Sequence, residues 1–141
     1  MAIIQGATDS FLKESWQAVH DLEDDVLKIA LYTSTASLGP ETTSYTATGE
    51  VSGTGYTAGG ATLTGGVVQV SQGTVYADFN DAAWPASTLS DIAGALIYNS
   101  SKGNKSIWVL NFGLARLTSN KTFTVRFPVA GYDSAIFRMR R

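Results

Sequence analysis

The sequence predicts a mainly β protein, an antiparallel β-sandwich with one N-terminal amphipathic helix. Three observations predict it. Two apolar arms, Ile92–Tyr98 and Ser106–Phe112, flank a turn-forming link from Asn99 to Lys105. Short alternating segments, separated by Gly, Asn, Asp and Pro, fill the second half of the chain. One segment alone, 8–22, carries apolar residues at helical spacing.

The hairpin organises the rest. Ile92–Tyr98 has no charged residue, and the second arm sets Ile107 and Val109 on one face against Trp108, Leu110 and Phe112 on the other. A strand apolar on both faces is usually covered on both faces, so this pair is expected to be the central ladder.

In chain order, residues 1–7 form a short apolar lead, expected as a terminal strand or packed arm. In the helix that follows, Thr8 or Asp9 can cap, and Phe11, Leu12, Trp16, Ala18, Val19 and Leu22 make one broad stripe. Trp16 and Trp108 are expected in the core. Leu27, Ile29 and Leu31 share one face of a strand over 26–33. Residues 34–66 are a long Gly/Thr/Ser-rich loop bearing Tyr45 and Tyr56, with a turn of helix expected within 42–50. Long loops of this kind are usually functional or ordered by a partner.

Residues 67–71 and 74–79 make a second hairpin through Gln72-Gly73. Ala83-Trp84-Pro85 is expected as a short edge segment, because proline cannot donate to a central ladder. Thr118–Lys121 is expected to turn the chain into a further strand, 122–127, and 135–139 ends it as the last strand. Several short strands separated by turn signals argue for a sandwich, 1–141 forming a single domain.

Composition narrows function mainly by exclusion. Of 141 residues, 44% are hydrophobic and only 16% charged, against about 25% in an average globular protein. Low charge suits a surface held largely against partners. The net charge of −2 gives no electrostatic drive toward nucleic acid. The acids Asp9, Glu14, Asp21, Glu23, Asp24 and Asp25 crowd the start, and Arg116, Lys121, Arg126, Arg138, Arg140 and Arg141 the end, so head and tail could pair within a chain, between chains, or with an oppositely charged partner. With no cysteine, disulfides and thiolate metal sites are excluded. No apolar run approaches the ~20 residues of a membrane span, and no signal-peptide pattern opens the chain.

No catalytic motif emerges, and the chain is expected to be non-enzymatic, with no cofactor and no metal. The single histidine, His20, is expected at the surface or at a helix cap. Gly53-Thr54-Gly55-Tyr56-Thr57-Ala58 matches a permissive dinucleotide fingerprint, but Gly59-Gly60 would spoil the helix that the signature needs. Its glycines are better explained by positive φ and close backbone approach. Asp78, Asp81 and Asp91 could be a carboxylate group for glycoside hydrolysis or calcium; solvated turn acids are the simpler reading. Trp84, beside Pro85, is expected to be exposed and could stack on a sugar.

The order of segments FLKESWQAVHDLEDDVLKIALYTSTASLG, TATGEVSGTGYTAGGATLTG, VYADFNDAAW, AGALIYNSSKGNKSIWVLNFG and TFTVRFP resembles a family of small virion proteins of tailed bacteriophages. The resemblance runs from Phe11 to Pro128, and TGYTAGG and GALIYN…KGNK are its most specific parts. It implies a jelly-roll-like sandwich and a capsid decoration, or cement, protein bridging major capsid protein subunits in the virion, assembled in the host bacterial cytoplasm. A tail, baseplate or fibre-attachment protein is the second position it allows, and a host-polysaccharide-binding module is a separate alternative. The expected partners are the major capsid protein or other virion proteins and further copies of the chain, as a dimer or trimer, without nucleic acid or membrane. The expected contact residues are Ile3, Ile4, Tyr45, Tyr56, Trp84, Arg138, Arg140 and Arg141, since tyrosine and arginine are favoured anchors. Removing residues 1–7 is expected to weaken particle binding while the sandwich still folds.

Overall fold

A computed structural model describes residues 2–128, 131 and 133–140. The lead does become a strand, β1 (Gly6–Ala7), paired with the second arm of the hairpin at Val109 and Trp108. Thr8 then starts the helix. Its backbone is extended and its Oγ1 accepts the Phe11 amide, which is N-cap geometry.

The helix α1 runs only Asp9–Trp16, eight residues, not to Leu22 as the stripe implies. The Gln17 and Val19 amides both return to the Glu14 carbonyl, and Ala18 turns left-handed at φ 57°. That reversal ends the helical run before its stripe is complete. The next residues are redirected: His20 and Leu22 go inward, whereas Trp16 is left outside.

β2 (Leu27–Tyr32) is buried along nearly its whole length. It lies between β3 (Ala61–Thr62) and β6 (Ala82–Asn99), and β6 pairs with β7 (Lys105–Val125) through the short 3-10 turn Ser100–Lys102. The main sheet has five antiparallel strands in the order β1-β7-β6-β2-β3. A second antiparallel sheet of three strands joins β4 (Val67–Ser71), β5 (Thr74–Asp78) and β8 (Phe137–Arg140) in that order. Among the described residues the fold is thus two antiparallel sheets and one α-helix, arranged like a sandwich. This strand order goes no further toward a jelly roll.

β6 and β7 are 18 and 21 residues long, far beyond the short strands expected. Residues that look like turns in the sequence are bulges within one ladder. Pro85 lies between the pairs Trp84↔Phe123 and Ser87↔Lys121, with Ala86 at φ 50°, so a proline sits inside a long strand without breaking it. Asn120, at φ 49°, lies in the next irregularity; Thr118–Lys121 is part of β7 and no chain reversal. A bulge beside Ile97↔Trp108 also places Ile107 with the core on the Trp108 and Leu110 side, separating it from Val109.

Alternation splits the core in two. Leu27, Ile29, Leu31, Ala95, Ile97 and Leu110 face the second sheet, meeting Ala77, Phe79 and Phe137. Ala30, Tyr32, Leu96, Tyr98 and Val109 face the other way, and Ala36, Leu38 and Tyr45 from the long loop cover them. The central ladder is therefore covered on both faces as expected, one cover being the irregular segment 34–66. No helix occurs within 42–50. Gly60 shows how closely this segment lies: a Cβ there would come within 1.8 Å of the Ile29 carbonyl oxygen. In the glycine-rich fingerprint, Gly55 (φ 82°) approaches the Ser87 backbone, where a Cβ would meet Cα at 2.8 Å. Close approach, not a phosphate cradle before a helix, accounts for these glycines.

Candidate interaction surface

The register of the second sheet puts Val68, Val70, Val75, Ala77, Phe137 and Met139 on one face, because directly paired residues share a side. The inner end of that face, Ala77 and Phe137, is sealed in the core. The outer end is open: Val70 is 71% exposed, and Val68, Val75 and Met139 are exposed too. Between this sheet and α1 runs a groove of about 760 Å³, lined among others by Phe11, Leu12, Val75, Trp108, Phe137 and Met139.

Trp16 stands close in sequence to this lip and is 89% exposed. The expectation that it is core fails because α1 stops at that residue, so nothing continues the stripe over it. Leu12, one turn earlier, is exposed as well. Trp108 is half-buried and packs on Phe137 with ring centroids 4.9 Å apart, so its core assignment stands in part. Leu114 and Leu117, which no pattern in the sequence singles out, are both largely exposed on β7. Leu114 lies in the bulge where residues 112–115 loop out opposite Ala93.

Trp84 reverses in the other direction. It is 4% exposed, packed between Tyr56 and Phe123. The neighbouring bulge absorbs Pro85, so Trp84 keeps its inward alternation with Ala82. A sugar-stacking or contact role for Trp84 therefore loses its basis. Tyr45 and Tyr56 turn their hydroxyls inward. Each donates to Glu50, at 2.6 Å, one to each carboxylate oxygen, and the Gly59 amide adds a third donor at 2.7 Å. Tyr56 Oη also accepts the Leu31 amide at 2.9 Å. Tyr98 donates to the Gly59 carbonyl and Tyr32 to the Thr46 carbonyl, both at 2.6 Å. Burial, then the Glu50 carboxylate, pushes Tyr45 up to about 12. Burial likewise raises Tyr32, Tyr56 and Tyr98. This network ties the long loop to the main sheet, and nothing local in the sequence marks Glu50 as its hub.

A second network fastens the segment after α1. The His20 side chain is 1% exposed, not on the surface. Asn99 Oδ1 accepts the Ser101 amide, which fixes its Nδ2 as donor to Asp25 (2.7 Å) and to His20 Nδ1 (3.0 Å). The ring proton therefore sits on Nε2 and is donated to Glu14 at 3.0 Å. Lys105 and Lys102 complete ion pairs with Glu14 and Asp25. Burial raises both carboxyls, but it is outweighed: by hydrogen bonds from His20 and Lys105 at Glu14, and from the Asp21 amide and Asn99 at Asp25, so both lie below their ordinary values. The acidic head is thus matched by the hairpin link; no ion pair among the described residues joins it to the basic tail.

Of the remaining expected contact residues, Ile3 bridges to Leu38 and packs against the loop-side core, while Ile4 is exposed. Asn111 holds the Ile3 carbonyl, at 2.8 Å, so removing 1–7 takes away a strand and a core contact and not a free arm. Arg138 donates to the Asp133 carbonyl and Arg140 to Thr74 Oγ1, and both are exposed on β8. Arg141 lies outside the described residues. Asp91 accepts the Ser34 amide and hydroxyl, and Asp81 accepts the Phe127 amide, so each ties neighbouring chain. Among the described residues no three His, Cys, Asp or Glu side chains gather closely enough to hold a metal.

No protein-family model, no curated protein and no solved structure matches this chain.

Proposed function

We propose that this protein is a non-enzymatic structural protein of a tailed-bacteriophage virion, acting as a capsid decoration protein that adheres to major capsid protein subunits. The virion part rests on the sequence resemblance between Phe11 and Pro128. The adhesive part rests on one observation: the apolar face of the second sheet continues past the core into solvent, across a groove from an exposed Leu12. Contiguous exposed apolar surface marks binding sites. Burial of that surface supplies the affinity, and repetition over a shell multiplies it through avidity.

The test uses particles of the phage that encodes the chain. Many copies per particle, located on the head by electron microscopy, are expected. Absence from purified particles would refute the virion role, and a location on the tail would move the protein to the baseplate or fibre attachment. A Leu12→Lys variant is expected to fold normally and to show reduced occupancy on purified capsids.

A further inference from the structure

The second sheet has two edges, β4 and β8, and they differ in chemistry. β8 reads Phe-Arg-Met-Arg. β4 reads Val-Val-Gln-Val-Ser, carries no charge, proline or bulge, and is exposed from Val67 to Val70. Those missing features are the usual protections of an edge strand.

The hairpin fixes which backbone groups β4 leaves unspent. Gln72 (φ 51°) and Gly73 (φ 72°) form the two-residue turn with both φ positive, closing Ser71 directly onto Thr74. Antiparallel alternation then turns the amides and carbonyls of Val67, Gln69 and Ser71 toward β5, and those of Val68 and Val70 out of the sheet. The Val68 amide is met by a side chain, Glu23 Oε1, at 2.8 Å.

We propose that β4 is a self-pairing edge. Two copies of the chain join antiparallel about a two-fold axis at Gln69, merging their three-stranded sheets into one continuous sheet. Val68 of one copy then lies opposite Val70 of the other, and their outward amides and carbonyls exchange hydrogen bonds. The exposed valines become cross-strand neighbours, and the apolar face of Val68, Val70, Val75 and Met139 runs unbroken across the axis. A second copy is the fitting occupant because an uncharged strand meets itself without repulsion. The same operation at β8 would crowd Arg138 and Arg140 against their counterparts. An isologous contact also closes, giving a dimer and no filament.

Glu23 is the guard of this edge. Its carboxylate occupies the Val68 amide and must leave before the second strand docks. The strand pair is small beside a standard interface of about 1,600 Å², so the dimer is weak, with a dissociation constant on the order of 10–100 μM. This inference goes beyond the preceding proposal and does not rest on it. Its test uses the purified chain alone, so the outcome is independent of particle binding.

The test is sedimentation equilibrium of the full chain from low to high micromolar concentration. The wild type is expected to pass from monomer to dimer. Val70→Lys is expected to stay monomeric with unchanged circular dichroism, and Glu23→Ala to dimerise at least threefold more tightly. Gln69→Cys, in a chain with no other cysteine, is expected to form a disulfide-linked dimer on mild oxidation, while Leu117→Cys stays monomeric. A wild type that remains monomeric throughout, a Val70→Lys chain that dimerises like wild type, or open-ended assembly in place of a dimer would each overturn the proposal.

Discussion

The two sheets are built from similar residues and end in opposite conditions. In the main sheet, β2 and the inner half of β6 are apolar on both faces and covered on both, by the second sheet with α1 on one side and by residues 34–66 on the other. In the second sheet, one face is apolar along its whole width, but the core covers only its inner end. The first sheet spends its hydrophobic surface on its own stability. The second keeps part of that surface for something outside the chain. The difference lies in cover: both present apolar side chains, leucine and isoleucine in the first and valine, methionine and phenylalanine in the second.

Substitutions should split along that line. Leu96→Ala, in the sealed main sheet, is expected to cost about 2–5 kcal/mol, and Val70→Ala to stay within about 0.5 kcal/mol, both read from denaturant unfolding. Equal costs would erase the contrast. Tyr56→Phe removes one hydroxyl from both the Leu31 amide and Glu50, and is expected to cost about 1–3 kcal/mol by leaving buried groups unpaired. Thr8→Ala, which deletes the cap of α1, is expected to cost about 1 kcal/mol in the same assay.

The pH dependence sharpens the comparison from the two polar networks. Glu14 and Asp25 have folded-state values below their ordinary ones, so their contribution is present above the ordinary carboxylate range and is lost as pH falls through the folded values. Stability is expected to decline on acidification, and less steeply in Lys105→Met. The tyrosines have the opposite sign. Tyr45, raised to about 12, contributes fully below the ordinary tyrosine value and loses that contribution as pH climbs through its own. Thermal melts between neutral and strongly alkaline pH are expected to show this loss, with Tyr45→Phe reducing it.

Local signals in the sequence carried the elements they govern. The Thr8 cap, the β2 strand, the Gln72-Gly73 hairpin and both inner arms of β6 and β7 follow from periodicity and turn chemistry within a few residues. Features set by distant partners were not legible. Pro85 reads as part of a short edge segment, Asp91 as a turn acid and Asn120 as part of a chain reversal, yet each is accommodated in the continuous β6–β7 ladder, whose pairing outweighs local turn preference. Trp16 and Trp84 exchanged places for the same reason. One lost its cover when α1 stopped early, and the other gained cover from Tyr56 and Phe123, far away in sequence. The Glu50 and His20 networks join segments as far apart as Glu14 and Lys105, beyond the reach of any window. The open outer face of β4, β5 and β8 is half visible: alternation marks Val68, Val70 and Val75 as one face, but only the three-dimensional arrangement reveals that the described residues leave them exposed.

The most direct test of adhesion through that open face is capsid occupancy by a Val75→Thr/Met139→Gln double variant, which makes the face polar without setting like charges opposite each other, added to particles stripped of the native protein. The double variant is expected to unfold at the same denaturant concentration as wild type and to bind at less than a tenth of its occupancy. Occupancy equal to wild type would contradict the account.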